Sequence, residues 1–463
     1  MVGGAASAGK SPVRLPPRLV VAAPHSGAGK TTVAVGLIAA LRASGYKVAP
    51  FKVGPDYIDP SFHRLASGRP GRNLDPFLCG EELVTALFAH GAQGAEIAVI
   101  EGVMGLFDGA AGRGEVGSTA QVAKLLGAPV VLVVDGRGLA RSAAALLHGF
   151  RTFDPSLSFA GVVFNRVGSD RHRALLEEAC AEAGLPFLGA LPRDGGVALP
   201  DRHLGLVPAQ ELSLRAQEAI ERVCALVRER VDLARVVAAA AAAEPRTAVP
   251  WQPPKGPPHK AIQVAVAVGP AFSFHYQENL ELLEAAGAEL CPFDPLCEER
   301  LPAGAGALLL AGGFPELHAQ TLAENSRLRE EVAAFAKQGA PIIAECGGLL
   351  FLGRELSGQR MCGVLPLSAT LGDRPVLGYR EATAAADSPY FRSGETVRGH
   401  EFHYARTTSE GEEGRPAWRF ADGRLEGFVK GSVHASFLHL HWAALPQLAA
   451  ALVEAAQARC SWS

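Results

Sequence analysis

The stretch "VVAAPHSGAGKTTVAVGLIAAL", Val20 to Leu41, constrains this 463-residue chain more than any other. Leu19 to Ala23 is a short apolar run of the kind that forms a buried strand. From Lys30 to Leu41 apolar residues recur at helical spacing, with Thr31 and Thr32 in the first turn. Strand, glycine loop and helix in that order aim backbone N–H groups and the positive end of a helix at one spot, as an anion site requires. Gly27 and Gly29 let the backbone approach phosphate closely, Lys30 supplies charge to the β/γ-phosphates, and Thr31 can hold Mg²⁺. The expected nucleotide cradle is Ser26, Gly27, Ala28, Gly29, Lys30, Thr31 and Thr32. Pro24 stands where the usual loop has its first glycine, so this loop is a variant.

Further apolar runs, "AEIAVIEG", "APVVLVVDG" and "SFAGVVFNRV", alternate with helical text such as "STAQVAKLLG" and "RHRALLEEACAEAG". Such alternation predicts a doubly wound α/β domain with a parallel sheet. Ligands of such sheets bind at the carboxyl ends of the strands, so the polar residues that follow each run are the candidates. "FKVGPDYIDPSFH" places Lys52 and Asp56 after one strand, and "VIEGVMGLFDG" places Glu101 at the end of another. Thr31, Asp56 and Glu101 are the expected Mg²⁺ ligands, and Lys52 the expected neutraliser of a transferring phosphoryl group.

At 463 residues the chain exceeds one ordinary core, and a boundary is visible in "VVAAAAAAEPRTAVPWQPPKGPPHKA". The alanine run predicts a helix end and the prolines a semi-rigid linker. The expected layout is a flexible tail over 1–17, a nucleotide domain over 18–235, a linker over 236–260 and a second domain over 261–463. A net charge of −3 gives no reason to expect nucleic acid or an anionic membrane as partner. No apolar run approaches the roughly 18 residues of a membrane span. The first residues lack a signal-peptide core, and the eight cysteines lack a zinc spacing, as fits reduced thiols of a cytoplasmic protein.

Cys346 stands apart. "APIIAECGGLLFLG" sets it between an apolar strand and a helix start, with Ala344, Gly347 and Gly348 as small neighbours of a nucleophile on a tight turn. The helix N-terminus is expected to lower its thiol pKa. Gly312 and Gly313 of "ALLLAGGFPE" offer backbone amides for an oxyanion, with Gly313 and Gly347 the expected pair. A cysteine nucleophile needs a base, and "GSVHASFLHLHWAAL" supplies His434, His439 and His441. On an extended segment His439 and His441 share one face, so spacing leaves both open.

Together "APHSGAGKTT", "FKVGPDYIDPSFH", "EGVMGLFDG" and "VVFNRVGSDRH" resemble the corrinoid amidase branch of the dethiobiotin synthetase-like amidoligases. The resemblance runs from about Arg18 to Trp442 and includes "GYREAT" and "GHEFHYAR". It implies a C-terminal domain of the class I glutamine amidotransferase type, with Cys346 and His439 catalytic. In the wider class a glutamate commonly follows two residues after the histidine; here that residue is His441. The resemblance also implies that Asn165 and Pro192 contact the nucleotide base, and that Tyr57 and Asp59 lie near substrate carboxylates. The implied reaction is ATP- and glutamine-dependent amidation of the a and c carboxylates of cobyrinic or hydrogenobyrinic acid, through acyl phosphates, in cobalamin biosynthesis. The expected partners are small molecules, with a homodimer the one protein assembly in view. An amidoligase for another tetrapyrrole, such as Ni-sirohydrochlorin, would share these residues. A ParA-like switch ATPase shares the variant loop but has no use for Cys346 and His439.

Overall fold

A computed structural model describes residues 11–193, 213–256, 261–409 and 414–460. The contacts divide the chain into two units, Met1–Gln252 and Pro253–Ser463. Among the described residues no helix is long and apolar enough to cross a membrane.

The first unit is built on a seven-stranded parallel sheet in the order Arg72–Leu74, Val48–Val53, Ile97–Glu101, Arg18–Ala22, Val130–Asp135, Phe159–Val167, Phe187–Pro192. Strands covered on both faces must be apolar throughout, and Arg18–Ala22 and Ile97–Glu101 are buried at every position. Helix Lys30–Ala43 turns Val33, Leu37 and Ile38 onto the same core as Leu19, Val21, Val99 and Val131. The chain leaves strand Arg18–Ala22 toward Val48–Val53 on one side and later returns to Val130–Asp135 on the other. This reversal opens a crevice at the carboxyl ends of the central strands, where such folds bind ligands.

The tail expected over 1–17 differs in part, residues 1–10 lying outside the described residues. Val13–Arg14 pairs antiparallel with Thr247–Ala248, and Leu15 donates its N–H to Arg246 O at 2.9 Å. Arg18 fastens both segments: buried, it donates to the carbonyls of Pro16, Leu126 and Glu244. The linker expected over 236–260 is likewise partly packed. Its alanines belong to helix Leu233–Ala241, capped by Asp232, and buried Trp251 donates its N–H to Ala86 O at 2.9 Å. Residues 257–260 lie outside the described residues.

The second unit holds a six-stranded sheet in the order Ala288–Phe293, Ile262–Ala267, Ala307–Leu310, Ile342–Glu345, Val433–Ser436, Phe428–Lys430. All neighbours are parallel except the last pair. A second sheet centres on the long hairpin Leu367–Ala384 and Thr396–Ser409, which carries "GYREAT" and "GHEFHYAR". Strand Leu438–His439 joins its edge, pairing His439 with His400.

Candidate active sites

In the first unit the glycine loop is shaped for close approach. Gly27 and Gly29 take φ of 82° and 99°, the left-handed region that a side chain disfavours. A Cβ on Gly29 would lie 2.0 Å from Asn165 Nδ2, so a larger residue would collide with Asn165. Asn165 Nδ2 donates to Ala28 O at 3.1 Å, which places this expected base-recognising residue directly against the loop. Pro192 ends the neighbouring strand, in register with Val167. Lys30 donates to the carbonyls of His25, in the loop, and Met104, after strand Ile97–Glu101.

Below the loop lies a buried charge network. Thr31 Oγ1 donates to Glu101 Oε1 at 2.7 Å and faces Asp59 Oδ2 at 3.4 Å. Lys52 Nζ donates to Asp59 Oδ2 at 2.6 Å, Glu101 Oε1 at 3.0 Å and Gly102 O at 2.9 Å. Burial works against the Lys52 charge, yet Asp59 and Glu101 hold its pKa above the ordinary lysine value. Lys52 is therefore a fixed cation at the strand ends.

Asp56 and Asp59 stand differently toward this network. Asp56 spends Oδ1 accepting from the N–H groups of Ile58 and Asp59, at 2.8 and 3.0 Å, and so caps the turn into helix Asp59–Ser67. Its Oδ2 reaches Lys52 only at 4.0 Å. Asp59, expected near substrate carboxylates, lies 3.4 Å from Thr31 Oγ1 and 2.6 Å from Lys52 Nζ, where a carboxylate also suits a cation. The oxygens of Thr31, Glu101 and Asp59 converge and fit Mg²⁺, a hard cation that takes a few protein oxygens and completes its shell with water and phosphate. Tyr57 is buried beside them in sequence. His63 was not anticipated: its Nε2 lies 2.6 Å from Glu101 Oε2 and fixes that carboxylate from behind. The spacing of Asp59 and His63, i and i+4 on one helix, was the available signal.

In the second unit Cys346 follows strand Ile342–Glu345 with φ 48° and ψ −100°, a strained strand-to-helix turn, and its side chain is buried. The backbone amides of Gly347 and Gly313 both favour the thiolate, and a Cβ on Gly347 would stand 3.1 Å from Gly313 N. Cys346 Sγ also donates to Phe402 O at 3.4 Å. The thiol pKa, however, is raised and not lowered. Burial is the main cause and Glu316 adds to it, while the amides of Gly347 and Gly313 oppose them only in part. The following helix, Gly347–Leu352, is too short to offset this desolvation.

The three histidines separate. His439 is fully buried and packs on the Gly312–Gly313 segment, since a Cβ on Gly312 would lie 2.4 Å from its Cε1. Its Nδ1 lies 3.7 Å from Glu345 Oε2. His441 has other neighbours: its ring packs tilted on Tyr276, centroids 4.4 Å apart, with Nε2 3.7 Å from Glu278 Oε2. The strand stops at His439, so the two-residue repeat no longer applies. His434 sits away from both, within about 5 to 6 Å of the rings of Tyr390, Phe391 and Trp418, and burial pushes its pKa down to about 4. Glu345 went unnoticed in the sequence, where an acid before a cysteine carries no spacing signal.

Family models match both parts of the chain: a CobQ/CobB/MinD/ParA nucleotide binding domain over residues 19–207, and a CobB/CobQ-like glutamine amidotransferase domain over residues 263–446. A hydrogenobyrinate a,c-diamide synthase of Streptomyces coelicolor is 51% identical, covering 95% of this chain and 97% of that protein. A protein of the same name from Mycobacterium tuberculosis is 52% identical, covering 96% and 98%. A cobyrinate a,c-diamide synthase of Gloeobacter violaceus is 47% identical, covering 92% and 93%. With a phosphate loop on one unit, a cysteine elbow on the other and near full-length identity of this order, the chain belongs to the hydrogenobyrinate/cobyrinate a,c-diamide synthase family.

Proposed function

We propose that this chain uses ATP, Mg²⁺ and glutamine to amidate the a and c carboxylates of a cobyrinate- or hydrogenobyrinate-type corrin, a step of cobalamin biosynthesis. It is an amide-forming ligase of a family that carries a glutamine amidotransferase domain. The observation that carries the finer reading is the Thr31–Glu101–Asp59–Lys52 network beneath the phosphate loop.

A carboxylate resists attack by ammonia, so it must first become an acyl phosphate. The substrate oxygen attacks the γ-phosphorus, the bond to the β-phosphate oxygen breaks, and ADP leaves. Lys30 and the loop amides hold the phosphates, and Lys52 neutralises charge that builds on the transferred group. Bound Mg²⁺ would be held by Thr31, Glu101 and Asp59, and would shield the phosphate oxygens. In the other unit Cys346 attacks the side-chain carbonyl of glutamine, and His439 takes the thiol proton and passes it to departing ammonia. The amides of Gly313 and Gly347 hold the developing oxyanion. Water then cleaves the thioester to glutamate, and ammonia displaces phosphate from the acyl phosphate. Asn165 and Pro192 are assigned to the adenine base, and Tyr57 to the corrin side.

The test is to offer purified protein hydrogenobyrinic acid, cobyrinic acid and Ni-sirohydrochlorin, each with ATP and glutamine. Two amide groups added to a corrin substrate support the reading. Amidation of Ni-sirohydrochlorin alone contradicts it.

A further inference from the structure

We infer that Glu345, not residue 441, is the carboxylate that positions His439 for the reaction at Cys346. The inference rests on the glutaminase reading above and adds a third member to it.

A histidine that accepts a proton from a thiol becomes an imidazolium. In a dry site that charge needs a partner, which also fixes which ring nitrogen faces the sulfur. Position 441 cannot supply one, because it is itself a histidine and its Nε2 lies against Glu278. Glu345 can. It immediately precedes Cys346, its side chain is 10% exposed, and its Oε2 lies 3.7 Å from Nδ1 of the fully buried His439. The sheet brings this about: Glu345 pairs with Ser436, and His439 follows Ser436 closely in the chain.

At 3.7 Å the contact is an ion-pair separation, not a direct hydrogen bond. Catalytic bonds are often loose before substrate binds, and one water can span such a gap. Two other groups feel the Glu345 charge. His275 is kept neutral by burial and bonds to Ala267 O at 2.9 Å, so it does not cancel the carboxylate. The Cys346 thiol is held in its protonated form partly by that same charge. The resting thiol thus keeps its proton, and Glu345 favours the pair only once that proton has moved to His439.

Glutamine hydrolysis by the full chain tests this. Glu345→Gln should lower kcat roughly 10- to 100-fold with KM for glutamine within about twofold, and Glu345→Asp should recover part of the loss. If Glu345 acts through His439, adding Glu345→Gln to His439→Asn should slow hydrolysis no further. An unchanged kcat in Glu345→Gln overturns the proposal, as does a double variant slowed by the full factor seen in the single one. Cys346→Ala separates the two levels: hydrolysis surviving there sinks the glutaminase reading itself, whereas its loss there leaves only Glu345 in question.

Discussion

Thr31 Oγ1 donates to Glu101 Oε1 at 2.7 Å, tying the helix that follows the phosphate loop to the end of the neighbouring strand. The same carboxyl group accepts from Lys52 and meets His63, so Glu101 is the hub of the buried network. Glu101→Gln and Lys30→Ala should each cut ADP release during turnover at least about 100-fold, with glutamine or with ammonia. Normal ADP release in both variants would exclude these roles.

Asp59 and Asp56 should part company. Asp59→Asn should raise the Mg²⁺ concentration needed for half-maximal activity roughly tenfold or more, since it removes a charge beside Thr31. Asp56→Asn weakens a turn cap and should cost about 1 kcal/mol of stability, with the Mg²⁺ requirement unaltered. Mg²⁺ titrations of both variants decide; the reverse pattern restores Asp56 as the ligand.

His439→Asn should slow glutamine hydrolysis by roughly 10² to 10⁴, the usual range for losing a general base. His441→Asn should slow it less than about tenfold and act mainly on thermal stability, through lost contact with Tyr276 and Glu278. If the two variants exchange these outcomes, the base is His441.

Glu426 gives a pH signature. Buried, it accepts from the Phe437 N–H at 2.8 Å and the Ser436 hydroxyl at 2.6 Å, and burial pushes its carboxyl from 4.5 up to about 7. The folded state therefore binds this proton more tightly than the unfolded one. The stability it contributes is complete below about pH 4 and is lost as pH rises toward 7. Glu426→Gln mimics the protonated form, so its melting temperature should fall less between pH 5 and 8, with a gain of roughly 1–3 kcal/mol at pH 8. A variant that melts lower than the parent at pH 8 contradicts this.

The sequence revealed what is local and periodic. The Leu19–Ala23 strand, the Lys30 helix and the Cys346 turn are written in contiguous residues, and each stands where that text places it. What it hid depends on chain direction after a break in regularity. "GPDYIDP" offers two aspartates, and only the fold of the turn shows Asp56 capping it while Asp59 points inward. His439 and His441 look equivalent until the strand ends between them. The helix start after Cys346 is visible in sequence, while the desolvation that raises its thiol pKa is not. The tie between Val13–Arg14 and Thr247–Ala248 joins segments over 230 residues apart, beyond any local pattern.

The central claim is that one chain joins a carboxylate-activating site to a glutamine-derived ammonia source, and Cys346→Ala tests it most directly. Amidation of a corrin carboxylate should be measured with ATP and either glutamine or a high concentration of ammonium. The division of labour predicts that the variant loses glutamine-dependent amidation and retains the ammonium-dependent reaction, because only the nitrogen source is removed. Glutamine-dependent amidation at the parent rate in Cys346→Ala would contradict it.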